Sequence, residues 1–140
     1  MFKKIIWSTK YSVGVQEIDN QHKQFFKICN DLIKLSENKK FSEDLALVSI
    51  MRLGDYAFYH LGTEEELFFQ TKYTEAANHI KIHNSFRKSV KEFIKLARDK
   101  KTDKRKNARD VAIFMSAWLA SHILTVDKKY SDYFNKKGIK

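Results

Sequence analysis

The chain contains no proline and only four glycines in 140 residues. These are the residues that punctuate turn-rich folds, so an architecture of many short strands is excluded and long unbroken helices are favoured. There is a single cysteine, Cys29, which excludes an internal disulfide and removes any need for an oxidising compartment. On a helix it reads as a small buried apolar side chain. The first apolar run, Ile5-Ile6-Trp7, stops at Ser8, too short for the core of a secretory leader. No later segment is expected to approach the roughly 18 apolar residues of a membrane span. A soluble, cytoplasmic, single-domain protein without stable membrane insertion is the expectation.

The formal net charge of +10 would suit a polyanionic partner. Much of it lies in residues 98–106 and at Lys136, Lys137 and Lys140, with none of the interleaved aromatic residues of a nucleic-acid groove. These segments read as a solvated interhelical loop and a frayed tail. No nucleic acid is expected to bind, the sequence leaves any protein partner unidentified, and a monomer is expected.

What the chain does have is helical periodicity. Residues 1–16 lack it and read as an extended arm, with Trp7 as its anchor and Val13-Gly14-Val15 packed over the rest. A first helix is predicted from an N-cap at Asp19, with His22, Phe25, Phe26, Cys29, Leu32 and Ile33 at three- and four-residue steps. Ser42 reads as the N-cap of a second helix that passes His60 and ends near Gln70. Gly62 lies inside it at a cost of about 1 kcal/mol against alanine, which suggests close packing there. A third helix carries His79, His83, Phe86, Val90 and Phe93, and a fourth runs from Ala108 to about Val126. Tyr130 and Phe134 mark a short segment folding back. The predicted fold is all-α: an up-down-up-down four-helix bundle (17–126) with an N-terminal arm (1–16) and a short C-terminal tail (127–140).

That topology gathers the chemistry. His22 falls near the start of the first helix and His60 and Glu64 near the end of the second. His79 and His83 open the third helix, and His122 and Asp127 close the fourth. In an antiparallel bundle all these positions share one end. His60-x3-Glu64 and His79-x3-His83 each place two donors on one helix face. Five imidazoles and two carboxylates buried together would cost several kcal/mol unless they held a cation, so the set is expected to bind metal. Imidazole and carboxylate donors without a thiolate suit iron, and zinc less readily, because so many donors overfill one tetrahedral ion. Two octahedral ions sharing both carboxylates and an oxo or hydroxo bridge would leave about one position vacant, a place for a small diatomic ligand.

Taken with Trp7, Val13-Gly14-Val15, Ile18-Asp19-Asn20-Gln21-His22 and Trp118-Leu119-x2-His122-x4-Asp127, these pairs make nearly the whole chain resemble the bacterial hemerythrins. The resemblance implies one iron held by His79, His83 and His122, and a second held by His22 and His60 with the open position. It makes Glu64 and Asp127 the bridges, Phe25, Leu61, Trp118, Leu119 and Ile123 the apolar wall of an oxygen pocket, and dioxygen the ligand. The implied function is reversible oxygen binding for storage, delivery or buffering, not enzyme catalysis. A di-iron redox enzyme or sensor for peroxide or nitric oxide is the alternative. The first reading expects no proton donor near the site; the second would use Tyr56 or Tyr59, which flank His60. Leu61 stands where the family usually has phenylalanine, implying a roomier pocket. His122 and Asp127 are five residues apart, about 140° around a regular helix, so the fourth helix is predicted to end or distort between Thr125 and Asp127.

Overall fold

A computed structural model describes residues 3–140; residues 1 and 2 of the expected arm lie outside the described part. The arm makes one 3-10 turn, Thr9–Tyr11, and is held mainly by Tyr11, Val13 and Val15, all buried. Trp7 is only half-buried, with the Lys23 ammonium 4.4 Å from its ring centroid, so it is not the principal anchor. The Asn30 side-chain amide pairs in both directions with the Ile5 backbone, at 2.9 and 3.3 Å.

Helix α1 spans Gln16–Glu37 and begins before Asp19. Asp19 is therefore not its N-cap. Its carboxylate reaches back instead, accepting the Val13 N–H at 2.8 Å and the Ser12 hydroxyl at 2.6 Å, which fastens the arm to the first helical turn. Helix α2, Glu43–Thr71, is capped by Ser42, whose hydroxyl accepts the Leu45 N–H at 3.2 Å. Helix α3 is Ala76–Arg98 and α4 is Lys104–Thr125, so the fourth helix starts earlier than Ala108. Asp103 caps it by accepting the Lys106 N–H at 3.1 Å.

The basic 98–106 segment is more than a solvated loop. Arg105 donates to the carbonyls of Ser36 and Asn38, both at 2.8 Å, and Lys104 donates to those of Ala97, at 2.9 Å, and Asp99. Carbonyls at a helix C-terminus lack intrahelical partners and carry partial negative charge, so cations placed there satisfy and stabilise the ends of α1 and α3.

In the bundle α1 packs against α2 and α4, and α3 packs against the same two helices. Gly54, not Gly62, is the closely packed glycine: a Cβ at Gly54 would lie 3.2 Å from Ile94 Cδ1, whereas one at Gly62 meets nothing within 4 Å. Residues 111–126 contain no charged side chain, and the helical stretch Lys104–Lys136 is, among the described residues, long and apolar enough to cross a membrane by length and composition. That corrects the expectation that no such segment exists. Here Val111, Met115, Leu119 and Ile123 from this stretch are core residues of the bundle.

Helix α4 ends at Thr125. Val126 leaves helical geometry (φ −121°, ψ −56°), and Asp127–Tyr130 forms a 3-10 turn before α5, Ser131–Lys136. The segment of Tyr130 and Phe134 folds back as expected, with both side chains fully buried, and the stretch beyond it is tied down rather than frayed, because Asn135 Nδ2 donates to the carbonyls of Gly14 and Ile139 at 2.9 Å each. Gly14 has φ +72°, a left-handed conformation, and a Cβ there would come within 2.9 Å of Ser131 Oγ.

Candidate metal centre

His22, His60, Glu64, His79, His83, His122 and Asp127 all converge at one end of the bundle, and all are buried. The break at Val126 makes this possible: it turns Asp127 back to the level of His122, which a continuous α4 would not do. The seven side chains fall into two groups, in each of which the donor atoms lie within 4.8 Å of one another. His79, His83 and His122 form one group with Glu64 and Asp127; His22 and His60 form the other with the same two carboxylates.

Asp127 divides its oxygens between the groups. Oδ2 lies 3.2 Å from His22 Nε2, while Oδ1 lies 3.0 Å from His79 Nε2 and 2.9 Å from His122 Nε2. Glu64 Oε1 lies 3.3 Å from His60 Nε2 and 3.4 Å from His83 Nε2. Donors bound to one ion at about 2.1 Å in octahedral geometry sit about 3.0 Å apart along the polyhedron edges, so these spacings suit a shared cation. Hydrogen bonding does not explain the arrangement. Among the described residues, Nε2 of His22, His60 and His83, Oε1 of Glu64 and both oxygens of Asp127 are buried without a hydrogen-bond partner. Such groups are costly unless a cation satisfies them. The Nε2 atoms of His79 and His122 also face each other at 3.0 Å. The residues present therefore fit a pair of metal ions.

Electrostatics agrees. Burial alone would raise the Asp127 carboxyl, but His122, His22 and His79 around it hold it well below the usual carboxylate range. Glu64 is also lowered, despite burial and the nearby Asp127, by His60 and His83. Both carboxylates are thus anionic at neutral pH. Burial and the neighbouring His60 lower His22, keeping it neutral and able to donate a lone pair.

Five residues to which the sequence reading gave no role at the site complete it. His60 Nδ1–H donates to Gln21 Oε1 at 2.8 Å, and Gln21 Nε2 donates to Thr63 Oγ1 at 3.2 Å, which in turn donates to the Tyr59 carbonyl at 3.1 Å. On the other side, His83 Nδ1–H donates to Glu65 Oε2 at 2.7 Å, and Arg87 grips both Glu65 oxygens at 2.8 and 2.9 Å. Each chain of bonds turns the Nε2 atom of its histidine toward the cluster. Tyr130 donates its hydroxyl to Glu64 Oε2 at 2.5 Å. The sequence held signals for these: Gln21 precedes His22, Glu65 follows Glu64, and Tyr130 stands three residues after Asp127, on the same side of a 3-10 turn.

Of the expected pocket wall, Phe25, Leu61, Leu119 and Ile123 are fully buried, and the Phe25 ring meets the His60 ring edge-on at 6.2 Å. Trp118 is half-buried and stacks on Phe86 at 3.8 Å and His122 at 4.3 Å, beside the three-histidine group; it makes no ring contact with His22 or His60. Tyr59 is 60% exposed and Tyr56 packs edge-on against Phe25; among the described residues neither hydrogen-bonds a donor side chain. The expectation of no hydroxyl near the site needs correction on one side: Tyr130 is there, its ring stacked on His79 at 5.8 Å.

Residues 13–134 match the family described as hemerythrin HHE cation binding domain. A protein named bacteriohemerythrin from Clostridium acetobutylicum is 29% identical over 129 residues, 91% of this chain and 98% of that protein. One of the same name from Pseudomonas aeruginosa is 30% identical over 91% of this chain and 80% of its own length. A hemerythrin-like protein of Naegleria gruberi is 27% identical over 89% of this chain and 88% of its own. The crystal structure of a wild-type hemerythrin superposes with a TM-score of 0.80 at 22% identity, covering 93% of this chain and 97% of that one, and so shares the fold.

Proposed function

The chain belongs to the hemerythrin family, and from that premise we propose that it binds dioxygen reversibly at a centre of two non-haem iron ions, for storage, delivery or buffering. Held by these residues, the iron pair would supply two electrons and one free coordination position for the gas. The observation that carries the reading is the inequality of the donor groups: three histidines on one side, two on the other, with Glu64 and Asp127 common to both. The two-histidine side therefore has room for a ligand.

The protein's own contribution is to keep that side dry and aprotic. Phe25 closes it next to His60, and the fully buried Leu61, Leu119 and Ile123 would complete the apolar surround. Water exclusion protects a reactive bound species from side reactions. The phenol of Tyr130 is committed to Glu64, and its ring lies against His79, on the three-histidine side. Tyr56 and Tyr59, which an oxidase or peroxidase would recruit as acids, do not bond the histidines.

The test is to load the protein with ferrous iron without air, admit oxygen, and strip it under argon while recording the visible spectrum. Colour that appears and disappears over several cycles supports carriage. Irreversible oxidation in a single pass, or sustained turnover with peroxide, overturns it. Metal analysis should give about two irons per chain.

A further inference from the structure

The hydrogen-bond partners behind the histidines differ between the two halves of the centre. His83 donates to a carboxylate, Glu65, at 2.7 Å. That carboxylate is fixed by the Arg87 guanidinium, which bonds both of its oxygens and is itself steadied by Asn84 Oδ1 at 2.9 Å. His60, in the other half, donates to the neutral amide oxygen of Gln21. Among the described residues, His22 Nδ1 is buried with no hydrogen-bond partner. A carboxylate accepting the Nδ1 proton fixes the ring and makes Nε2 a stronger donor; an amide does so less, and a missing partner not at all.

We propose that Glu65, clamped by Arg87, is a positioning residue that makes the three-histidine half of the centre the tighter site, so that the protein loads its two ions in a fixed order. The three-histidine half fills first and the His22 and His60 half second. Glu65 acts through His83 and touches no ion. The pattern explains why the ion pair to Arg87 is bidentate: a freely rotating carboxylate would not hold the imidazole in one orientation. The proposal rests on the metal-binding part of the functional reading above, but not on oxygen chemistry.

The experiment is calorimetric titration of the metal-free protein with Co(II) or Zn(II), neither of which needs oxygen. The wild type should show two resolved steps. Glu65→Gln should weaken the first step by about 10- to 100-fold and leave the second unchanged. Gln21→Glu should tighten the second step instead, narrowing the interval between the two. Proton NMR of the zinc-loaded wild type should show the His83 Nδ1 proton far downfield, moved upfield in Glu65→Gln while the His60 proton stays in place. Circular dichroism and thermal melts check folding. Should Glu65→Gln fail to fold, the Gln21→Glu titration and the wild-type spectrum carry the test. Equal weakening of both steps, unchanged steps, or a His83 proton no different from that of His60 overturns the proposal. Two intact steps insensitive to Glu65→Gln sink this inference alone; no binding of either metal sinks the di-metal reading with it.

Discussion

Tyr130 and Glu64, 66 residues apart in sequence, meet in a buried 2.5 Å hydrogen bond from the phenol to Oε2. Through this bond the segment after α4 holds a carboxylate of α2, and Glu64 is left with Oε1 turned toward both histidine groups. Tyr130→Phe removes the donor and little else. A buried charged oxygen then loses its partner, and the metal-free protein should lose about 1.5–3 kcal/mol by chemical denaturation. A loss under about 0.5 kcal/mol would mean that the bond is incidental.

The sharing of Glu64 and Asp127 predicts how metal content responds to single substitutions. His22→Ala removes a donor from one group only and should lower bound metal from about two ions to about one. Asp127→Ala removes an oxygen from each group and should lower it toward none. Metal analysis after gel filtration reads both; equal losses in the two variants would contradict the shared-bridge geometry.

His83 gives the metal-free protein a pH signature. Burial pushes its pKa down, but the carboxylates of Glu64, 3.4 Å away, and of Glu65, hydrogen-bonded at 2.7 Å, outweigh this and lift it from 6.5 to about 9. A raised folded pKa stabilises the fold fully below the unfolded value and ceases to do so as pH rises through the folded one. The His83 contribution should therefore fade between about pH 6.5 and 9. Metal must displace the same proton, so binding at pH 7 should release it and tighten as pH climbs toward 9. Calorimetry in buffers of different ionisation enthalpy counts the protons released; none at pH 7 would refute the protonated resting state.

The two glycines of α2 should respond oppositely to alanine. Gly62 is exposed on a helix with open space around it, so Gly62→Ala should stabilise by roughly 0.5–1 kcal/mol. At Gly54 the new methyl would sit 3.2 Å from Ile94 Cδ1 and 3.5 Å from Val90 Cγ1, so the propensity gain is offset by crowding and the change should be smaller or destabilising. Thermal melts of the pair decide; an equal gain at both would show that the Ile94 side chain moves aside freely.

The convergence of the seven candidate side chains was legible in the sequence because helical spacing is a strong local signal. His60 with Glu64 and His79 with His83 lie one turn apart, and the excess residue between His122 and Asp127 announced the break that the backbone shows at Val126. Their supporting partners were not, since a hydrogen bond such as Glu65 to His83 depends on the rotation of α2 against α3, which no single-helix pattern encodes. The helix starts erred for a related reason. Asp19 has an N-cap's chemistry, yet the arm placed Val13 and Ser12 within its reach, and those bonds took the carboxylate. Residues 98–106 looked solvated because charge pattern alone does not say which lysine or arginine finds a helix end, as Lys104 and Arg105 do.

The contact of Asn135 with Gly14 links the tail to the arm at the end of the bundle where the donors converge. Asp127 and Tyr130 belong to that tail, and Val13 and Val15 to that arm. Short segments packed onto a bundle open at lower free energy than its core helices. Escape of a bound ion should accordingly follow local opening at these two places, with a rate far above that of global unfolding. Substitutions at the Asn135–Gly14 clasp should alter how long the protein retains its metal without altering how tightly the core holds together.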